Sequence, residues 1–203
     1  MTLLPGFVLH DAYLDVAAQK AMAADLRAVA EAAPMVHPTT RWGRQMSVKM
    51  TSAGRVGWIS DRRGYRYEPR HPSGAPWPAI PASILAVWRT VSGWDADPDC
   101  CLINYYGDGA KMGLHQDRDE DAFDAPVVSI SLGDPARFRM GGRERSDKTA
   151  SVILNSGDVM VMGGPARLAF HGVDRIEFGV SPLLPKGGRI NVTLRVVDAK
   201  IGA

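Results

Sequence analysis

The second half of the chain constrains the fold most, because it contains a series of short segments rich in apolar and β-branched residues. Turns rich in Gly, Asp and Pro separate these segments at regular spacing, which favours a sandwich or jelly roll over βαβ units. We therefore predict a mainly β core over residues 100–198 with flanking helices (α+β). The predicted strands are 100–106, 126–132, 137–141, 150–154, 158–162, 168–171 and 190–197.

Two segments before this core have helical periodicity. Asp15 is predicted to be an N-cap, since apolar residues then recur at helical spacing until Pro34 stops the helix. A second amphipathic helix is predicted over 82–91, and Gly93 closes it. Residues 1–14 are predicted to be a short extended segment.

Residues 35–80 differ from the rest of the chain in being rich in Gly, Pro, Arg and aromatic residues. Between 41 and 70 there are eight basic and two acidic residues, a local charge of +6, although the whole chain carries only +2. Basic groups hold phosphates and aromatic faces stack on bases, so this segment suits an unpaired or flipped nucleotide. The alternative is a solvated hairpin whose aromatic side chains cover its own underside.

The bulk properties favour a small intracellular protein. A length of 203 residues fits a single domain, 1–203. The two cysteines, Cys100 and Cys101, are sequence neighbours and a poor disulfide pair, which favours a reduced, cytoplasmic protein. The sequence contains no recognisable signal peptide or spanning segment, so we expect no membrane partner. We also expect a monomer.

The last predicted strand has the most unusual pattern in the chain. Because strand side chains alternate between faces, its apolar residues point one way and its polar residues point the other way. The polar residues are Arg189, Asn191, Thr193 and Arg195. If this face is buried, the two guanidinium groups need an anionic partner, and a dicarboxylate suits both. An edge strand with its polar face in water is the alternative.

Other polar residues complete a candidate site. Asn104 and Tyr106 share a strand face and offer neutral donors to a carboxylate, although a purely structural Asn–Tyr pair is the alternative. His115-x-Asp117 and the later His171 offer two imidazoles and one carboxylate, the facial triad of non-heme Fe(II) oxygenases. Taken separately, the first pattern also fits a surface loop without a metal, and His171 also fits a core histidine.

These elements together resemble the AlkB family of Fe(II)/2-oxoglutarate-dependent dioxygenases. In sequence order they are Asn104-x-Tyr106, His115-x-Asp117, His171 and Arg189-x-Asn191-x-x-x-Arg195. The resemblance covers nearly the whole chain and includes Gly64-Tyr65-Arg66-Tyr67 and Ser129-Ile130-Ser131-Leu132-Gly133. It implies a double-stranded β-helix (jelly roll) core with a nucleotide-recognition lid over 35–80.

The resemblance also implies the ligands and the residues that bind them. The cofactor is Fe(II), and 2-oxoglutarate and O2 are co-substrates. The catalytic metal ligands are His115, Asp117 and His171. The residues implied for 2-oxoglutarate are Asn104, Tyr105, Tyr106, Arg189, Asn191, Thr193 and Arg195. The residues implied for the nucleic-acid substrate are Met50, Thr51, Trp58, Tyr65, Arg66, Tyr67, Asp119 and Arg145.

The implied function is oxidative demethylation that repairs N-alkylated bases, such as 1-methyladenine and 3-methylcytosine, in single- or double-stranded DNA, with RNA as a further candidate. Formaldehyde, succinate and CO2 are the implied products. Extruding a base costs a few kcal/mol, least for a lesion that cannot pair, and stacking on Trp58 recovers about 1–3 kcal/mol. We therefore predict a preference for single strands. We also hypothesise that Asp119 favours cationic lesions, unless 119–121 is merely a solvated acidic loop.

Two other functions remain as alternatives. One is a related 2-oxoglutarate oxygenase that acts on protein or on another nucleic-acid modification, which the basic, aromatic segment 35–80 disfavours. The other is a non-catalytic nucleic-acid-binding homologue, for which a broken triad or a lost arginine pair would be the signature.

Overall fold

The computed structural model describes residues 1–198, so the last five residues of the predicted 1–203 domain lie outside the described residues. Two helices accompany the strands, α1 (Val16–Ala32) and α2 (Ala82–Val91). The strands are β1 (Thr2–Leu4), β2 (Phe7–His10), β3 (Lys49–Gly54), β4 (Gly57–Asp61), β5 (Gly64–Glu68), β6 (Cys100–Tyr106), β7 (Met112–His115), β8 (Val127–Gly133), β9 (Ala136–Met140), β10 (Ala150–Leu154), β11 (Val159–Met162), β12 (His171–Ile176) and β13 (Arg189–Arg195).

Two antiparallel sheets form the predicted jelly roll. The large sheet has the order β1-β2-β11-β8-β13-β6-β3, and the small sheet has the order β10-β9-β12-β7. Strands β4 and β5 form a separate hairpin. The prediction of a mainly β double-stranded β-helix with flanking helices is therefore confirmed.

The two faces of the large sheet border two different apolar cores. Helices α1 and α2 cover one face, where Met22, Trp88 and Val192 belong to a common buried cluster. The second cluster joins residues of the large sheet, such as Leu102, to Phe138 and Val173 of the small sheet. Both sheets therefore contribute apolar side chains to the space between them.

Strand β13 lies in the middle of the large sheet, hydrogen-bonded to β8 and β6. Ile190, Val192 and Leu194 pack on the helix side. Arg189 and Arg195, on the other face, are 1% and 5% exposed. The alternative of an edge strand with its polar face in water is wrong, because both backbone edges are paired and the arginines are buried.

The helix boundaries follow from local chemistry, as predicted. Asp15 caps α1, since its carboxylate accepts a hydrogen bond of 2.8 Å from the Ala18 amide. The helix ends at Ala32, shortly before Pro34. Helix α2 has the predicted bounds, and Gly93 follows it with φ +65°, a left-handed conformation that glycine adopts readily. None of the helices in residues 1–198 is long and apolar enough to span a membrane.

Several predicted elements need correction. The segment 168–171 is not a strand: a 3-10 turn occupies Gly164–Ala166, and β12 begins only at His171. Strand β7 was not predicted, because Met112-Gly-Leu-His115 lacks β-branched residues and depends on pairing with β12. Strand β3 belongs to the large sheet, so the predicted lid over 35–80 includes one strand of the core.

Candidate active site

A cavity of about 780 Å³ is lined by the inner faces of both sheets, by the β4–β5 hairpin and by the loops after β7 and β9. This volume is within the range of small-ligand sites. Most of the predicted site residues meet in it. They are Met50, Trp58, Tyr65, Asn104, Tyr106, His115, Asp117, Asp119, Arg145, His171, Arg189, Asn191, Thr193 and Arg195.

The predicted metal ligands converge because two small-sheet strands pair. His171, the first residue of β12, lies directly opposite His115, the last residue of β7. Asp117 follows in the next loop, and one potential ligand atom from each of the three residues lies within 4.8 Å of the others. Each histidine Nε2 is 3.8 Å from a carboxylate oxygen of Asp117. Two imidazoles and one carboxylate in this arrangement match a facial triad.

Backbone carbonyls orient both imidazoles. The Nδ1–H of His115 donates to the Gly113 carbonyl over 2.9 Å, and the Nδ1–H of His171 donates to the Ala169 carbonyl over 3.0 Å. Since a carbonyl can only accept, Nε2 is left with its lone pair facing Asp117, as a metal ligand requires. Burial, with help from His115, lowers the pKa of His171 to about 4 and so keeps its ring neutral.

A buried charge network holds the third ligand. Arg195 approaches Asp117 Oδ2 at 2.8 Å through Nη2 and also lies 3.4 Å from the Glu120 carboxylate. Burial by itself would raise the pKa of Asp117, but Arg195 and the two imidazoles keep that pKa well below its usual value. The Asp117 carboxylate is therefore ionised and fixed before any ligand arrives.

Arg167 supports the same loop from behind. It donates to the Asp117 carbonyl over 2.6 Å, to the Ala125 carbonyl over 2.9 Å and to Glu120 Oε2 over 3.1 Å. Neither Arg167 nor Glu120 was predicted as a site residue. The alternative of a solvated acidic loop over 119–121 is wrong for Glu120, which is 3% exposed. The only sequence signal for Arg167 was an isolated arginine between apolar residues.

Arg189 occupies the other end of the β13 polar face and forms no ion pair with an acid of residues 1–198. It donates 2.7 Å to Ser131 Oγ and 3.3 Å to the Leu154 carbonyl. Its Nε and the nearby Asn104 Oδ1 are buried with no hydrogen-bond partner among the described residues. Burial lowers the pKa of Arg189 to about 10 and raises the pKa of Tyr106 to about 12. An incoming carboxylate would complete the hydrogen bonding of this arginine.

The cavity's remaining polar residues on β13 are hydrogen-bonded to each other or to β8. Thr193 Oγ1 donates to Asn191 Oδ1 over 3.0 Å, and Asn191 Nδ2 donates to Ser129 Oγ over 2.6 Å. These bonds hold the Asn191 amide in one orientation at the cavity wall. Ser129 and Ser131, which support Asn191 and Arg189, were not predicted to be site residues.

Two predicted site residues lie on the wrong side of the large sheet. Tyr105 alternates with Asn104 and Tyr106, so its ring packs on the helix side and its hydroxyl donates to the Gly187 carbonyl over 3.2 Å. Thr51 likewise points away from the cavity, and its Oγ1 donates to the Ala33 carbonyl over 2.7 Å. The structure thus corrects both assignments, because strand alternation excludes their side chains from the site.

The hairpin β4–β5 is attached to the triad loop. Trp58 stacks on Tyr65 with ring centroids 5.5 Å apart, and its Nε1–H donates to Asp119 over 3.0 Å. The Tyr67 hydroxyl donates to Glu120, and burial raises the Tyr67 pKa. Tyr67 is thus oriented into the protein, and its predicted contact with a nucleotide backbone stays a prediction.

Two arginines complete the predicted substrate residues. Arg66 is paired with Asp61 at 2.9 Å and with Glu68 at 2.6 Å, and it does not line the cavity. Arg145 does line the cavity, donates to the Leu114 carbonyl over 3.0 Å and lies over the Phe170 ring. A nucleotide phosphate would therefore compete with internal acids for Arg66 but not for Arg145.

Comparison with known proteins agrees with this geometry. Residues 1–195 match the model of the 2OG-Fe(II) oxygenase superfamily. The chain is 54% identical over 196 residues to an alpha-ketoglutarate-dependent dioxygenase AlkB homolog of Caulobacter vibrioides, covering 96% of this chain and 89% of that protein. It is 43% identical over 181 residues to the alpha-ketoglutarate-dependent dioxygenase AlkB of Escherichia coli, covering 87% and 83%.

A solved structure shares the whole architecture. The structure of OsALKBH1 superposes with a TM-score of 0.82 at 32% identity, covering 97% of this chain and 99% of that one. Both the sequence and the fold thus match the same group of proteins over nearly their full length. The chain therefore belongs to the AlkB family of 2OG-Fe(II) oxygenases, and it is a dioxygenase that uses Fe(II), 2-oxoglutarate and O2.

Proposed function

We propose that this protein oxidatively demethylates N-alkylated bases in nucleic acid. One observation carries the proposal: a facial triad and a buried arginine without an acidic partner line one cavity, under a hairpin that contributes two stacked aromatic rings. The triad matches an oxygenase metal, the arginine matches a carboxylate co-substrate, and the rings match a planar base.

The ligand-binding roles divide between the two sheets. His115, Asp117 and His171 would hold Fe(II), because their donor atoms already face one another. Arg189 would hold a carboxylate of 2-oxoglutarate, since its buried Nε needs an acceptor. Asn104 and Tyr106 would donate to the same co-substrate from the neighbouring strand, Asn104 through its Nδ2 group and Tyr106 through its hydroxyl. The main role of Arg195 in this proposal is to hold the metal ligand Asp117, with which it is already paired.

When bound, Fe(II) with O2 and 2-oxoglutarate supplies the oxidant that hydroxylates an N-methyl carbon. The C–N bond of the resulting N–CH2–OH group then breaks: its electron pair returns to the base nitrogen, the hydroxyl loses its proton and formaldehyde leaves. The protein's task in this reaction is to position the methyl group and to exclude water. Trp58 and Tyr65 would hold the base plane, and the apolar residues Met50 and Leu102 of the cavity wall would limit water near the carbon.

The substrate class follows from charge. Bases methylated on the Watson–Crick edge, such as 1-methyladenine and 3-methylcytosine, are cationic, and the exposed Asp119 carboxylate lies at the cavity rim beside Trp58. Single-stranded DNA is the preferred substrate in this proposal, with RNA as a second candidate, because stacking on Trp58 only offsets base extrusion. We further propose that the enzyme acts as a monomer in the cytoplasm.

The test is a mass measurement on an oligonucleotide. The protein is incubated with Fe(II), 2-oxoglutarate, ascorbate and a single-stranded oligonucleotide that carries one 1-methyladenine, beside His171→Ala and Arg189→Ala. We expect the wild type to remove one methyl group and both variants to be inactive. An unchanged oligonucleotide mass with folded, iron-loaded wild type would overturn the repair function, and methylated peptides would be tested next.

Asp119 can be tested separately. We expect Asp119→Asn to reduce the preference for cationic lesions over neutral ones, measured as the ratio of kcat/KM for 3-methylcytosine and 3-methylthymine in the same oligonucleotide. The reason is that the amide keeps the size of the side chain and its hydrogen bond to Trp58 but removes the charge. An unchanged ratio would mean that Asp119 only holds the tryptophan.

A further inference from the structure

Two exposed loops stand side by side at the mouth of the cavity. One is the tight turn over residues 40–45, closed by hydrogen bonds of 2.8 Å from the Gly43 amide to the Thr40 carbonyl and from the Thr40 amide to the Arg44 carbonyl. The other is the β4–β5 turn. The two loops are close neighbours, since a Cβ atom added at Gly43 would lie 3.6 Å from Arg62 Nε.

The 40–45 turn presents a tryptophan that has no packing role. Trp42 is 75% exposed, the highest value among the large apolar side chains of the described residues. The Arg41 guanidinium lies 4.3 Å from its ring centroid, and both residues line the cavity. An exposed ring backed by an arginine, on a turn held by its own backbone, is a ready stacking surface.

The charges around Trp42 match a phosphate chain. Arg41, Arg44 and Arg62 are exposed, and within residues 1–198 none of them forms an ion pair. Asp61, the acid of the β4–β5 turn, is already paired with Arg66 at 2.9 Å. The rim therefore offers cationic groups together with an aromatic face, the combination that binds single-stranded nucleic acid.

We propose that Trp42 stacks on a base adjacent to the one in the cavity, while Arg44 and Arg62 hold the phosphates between them. This inference rests on the proposed nucleic-acid substrate and deepens it, because it makes the enzyme's natural substrate a strand of several nucleotides. The cavity binds the modified base, and the rim binds its unmodified neighbour. Since every base has a flat face, this contact would be tolerant of sequence.

Binding can be measured without catalysis. Fluorescence anisotropy with a labelled single-stranded dT pentanucleotide should give a Kd about 5- to 150-fold weaker for Trp42→Ala than for wild type, the effect of losing one stacked base. Trp42→Phe should recover most of the affinity. Phe178→Ala, which removes an exposed ring that does not line the cavity, is the matched control and should bind as wild type does.

The phosphate contacts have their own signature. Arg44→Ala and Arg62→Ala should each reduce the slope of log K against log salt concentration by about 0.7, as expected for one lost phosphate contact on a single strand. Trp42→Ala should leave that slope unchanged, because stacking releases no counterion. A slope that falls only with Trp42→Ala would contradict the division of roles between ring and guanidinium groups.

Turnover separates this inference from the proposed function. Trp42→Ala should raise KM for a methylated pentanucleotide by a larger factor than KM for the corresponding methylated mononucleotide, and Phe178→Ala should change neither. Equal dT binding by wild type and Trp42→Ala would overturn the role of Trp42, whatever the activity. Absence of demethylation of both substrates by wild type would instead overturn the proposed function, and the binding result would still decide the role of Trp42.

Discussion

The two ends of strand β13 place the same side chain in opposite electrostatic environments. Arg189 and Arg195 lie on one face of one strand, and both are buried. Arg195 is paired with Asp117 and close to Glu120, whereas the acceptors of Arg189 in the described part of the chain are all neutral. Burial acts to lower the pKa of both arginines, but Asp117 and Glu120 outweigh it at Arg195, whereas at Arg189 burial prevails. Arg195 is thus paired within the folded protein, whereas the buried Nε of Arg189 would gain an acceptor when a carboxylate binds.

This difference separates structure from function within one motif. When a buried arginine is paired with acids, removing it leaves those acids buried without a cation and lowers the stability of the fold. A buried arginine without an acidic partner lowers the stability of the ligand-free protein, and a ligand that brings a carboxylate provides the missing hydrogen-bond acceptor. The sequence motif makes the two arginines equivalent, and only their neighbours distinguish them.

Replacing Arg195 should have the largest effect on stability. We expect Arg195→Met to lower the free energy of unfolding by about 3–5 kcal/mol, because Asp117 and Glu120 would remain buried without their cation. Urea unfolding of the metal-free protein measures this change. A loss of stability no greater than that of Arg189→Met would remove the contrast between the two ends.

Replacing Arg189 should affect co-substrate binding instead. We expect Arg189→Met to weaken 2-oxoglutarate binding by about 1.5–3 kcal/mol, roughly 10- to 150-fold, the range for hydrogen bonds to a charged group. Stability without ligand should stay within about 1 kcal/mol of wild type or increase, since an unpaired buried charge is removed. Titration calorimetry of the Mn(II)-loaded protein gives the first value, and urea unfolding gives the second. Strong destabilisation with unchanged affinity would reverse our assignment.

A smaller effect on stability is expected at Tyr67, which links the β4–β5 hairpin to the buried Glu120 carboxylate. Tyr67→Phe removes the hydroxyl that donates to Glu120 but keeps the ring. We expect a loss of about 1–3 kcal/mol in unfolding free energy, because a buried carboxylate oxygen loses one donor while Arg167 and Arg195 remain. Ser60→Ala, which removes a hydroxyl bonded to the Thr39 carbonyl in the same hairpin, is a suitable control. Equal unfolding midpoints for Tyr67→Phe and wild type would show that the contact adds no stability.

Much of this fold was predictable because its signals are local. The Asp15 cap, the α2 bounds and the alternation along β13 each depend on a few adjacent residues. The same alternation explains why Tyr105, assigned by resemblance, lies outside the cavity: Asn104 and Tyr106 occupy the inner face, so their neighbour cannot. The two-residue period of the strand therefore predicts the position of Tyr105 better than the family resemblance does.

The rest of the site depends on distant pairing. The alternative of a solvated acidic loop over 119–121 considers only sequence neighbours, whereas the buried Glu120 carboxylate is hydrogen-bonded by Arg167 and Tyr67, which are far away in sequence. Strand β7 has no β-rich composition of its own and becomes a strand by pairing with β12. Neither fact can be deduced from a window of neighbouring residues.

The two arginines that hold Asp117 in place are far from it in sequence, and this has a consequence for folding. Arg195 joins Asp117 across 78 residues, and Arg167 joins the Asp117 carbonyl across 50. Closing such long loops costs chain entropy, so we expect these contacts to form only after both sheets have assembled. Iron and 2-oxoglutarate therefore cannot guide the early collapse of the chain. They act on the finished fold, where they should slow unfolding and leave the folding rate nearly unchanged.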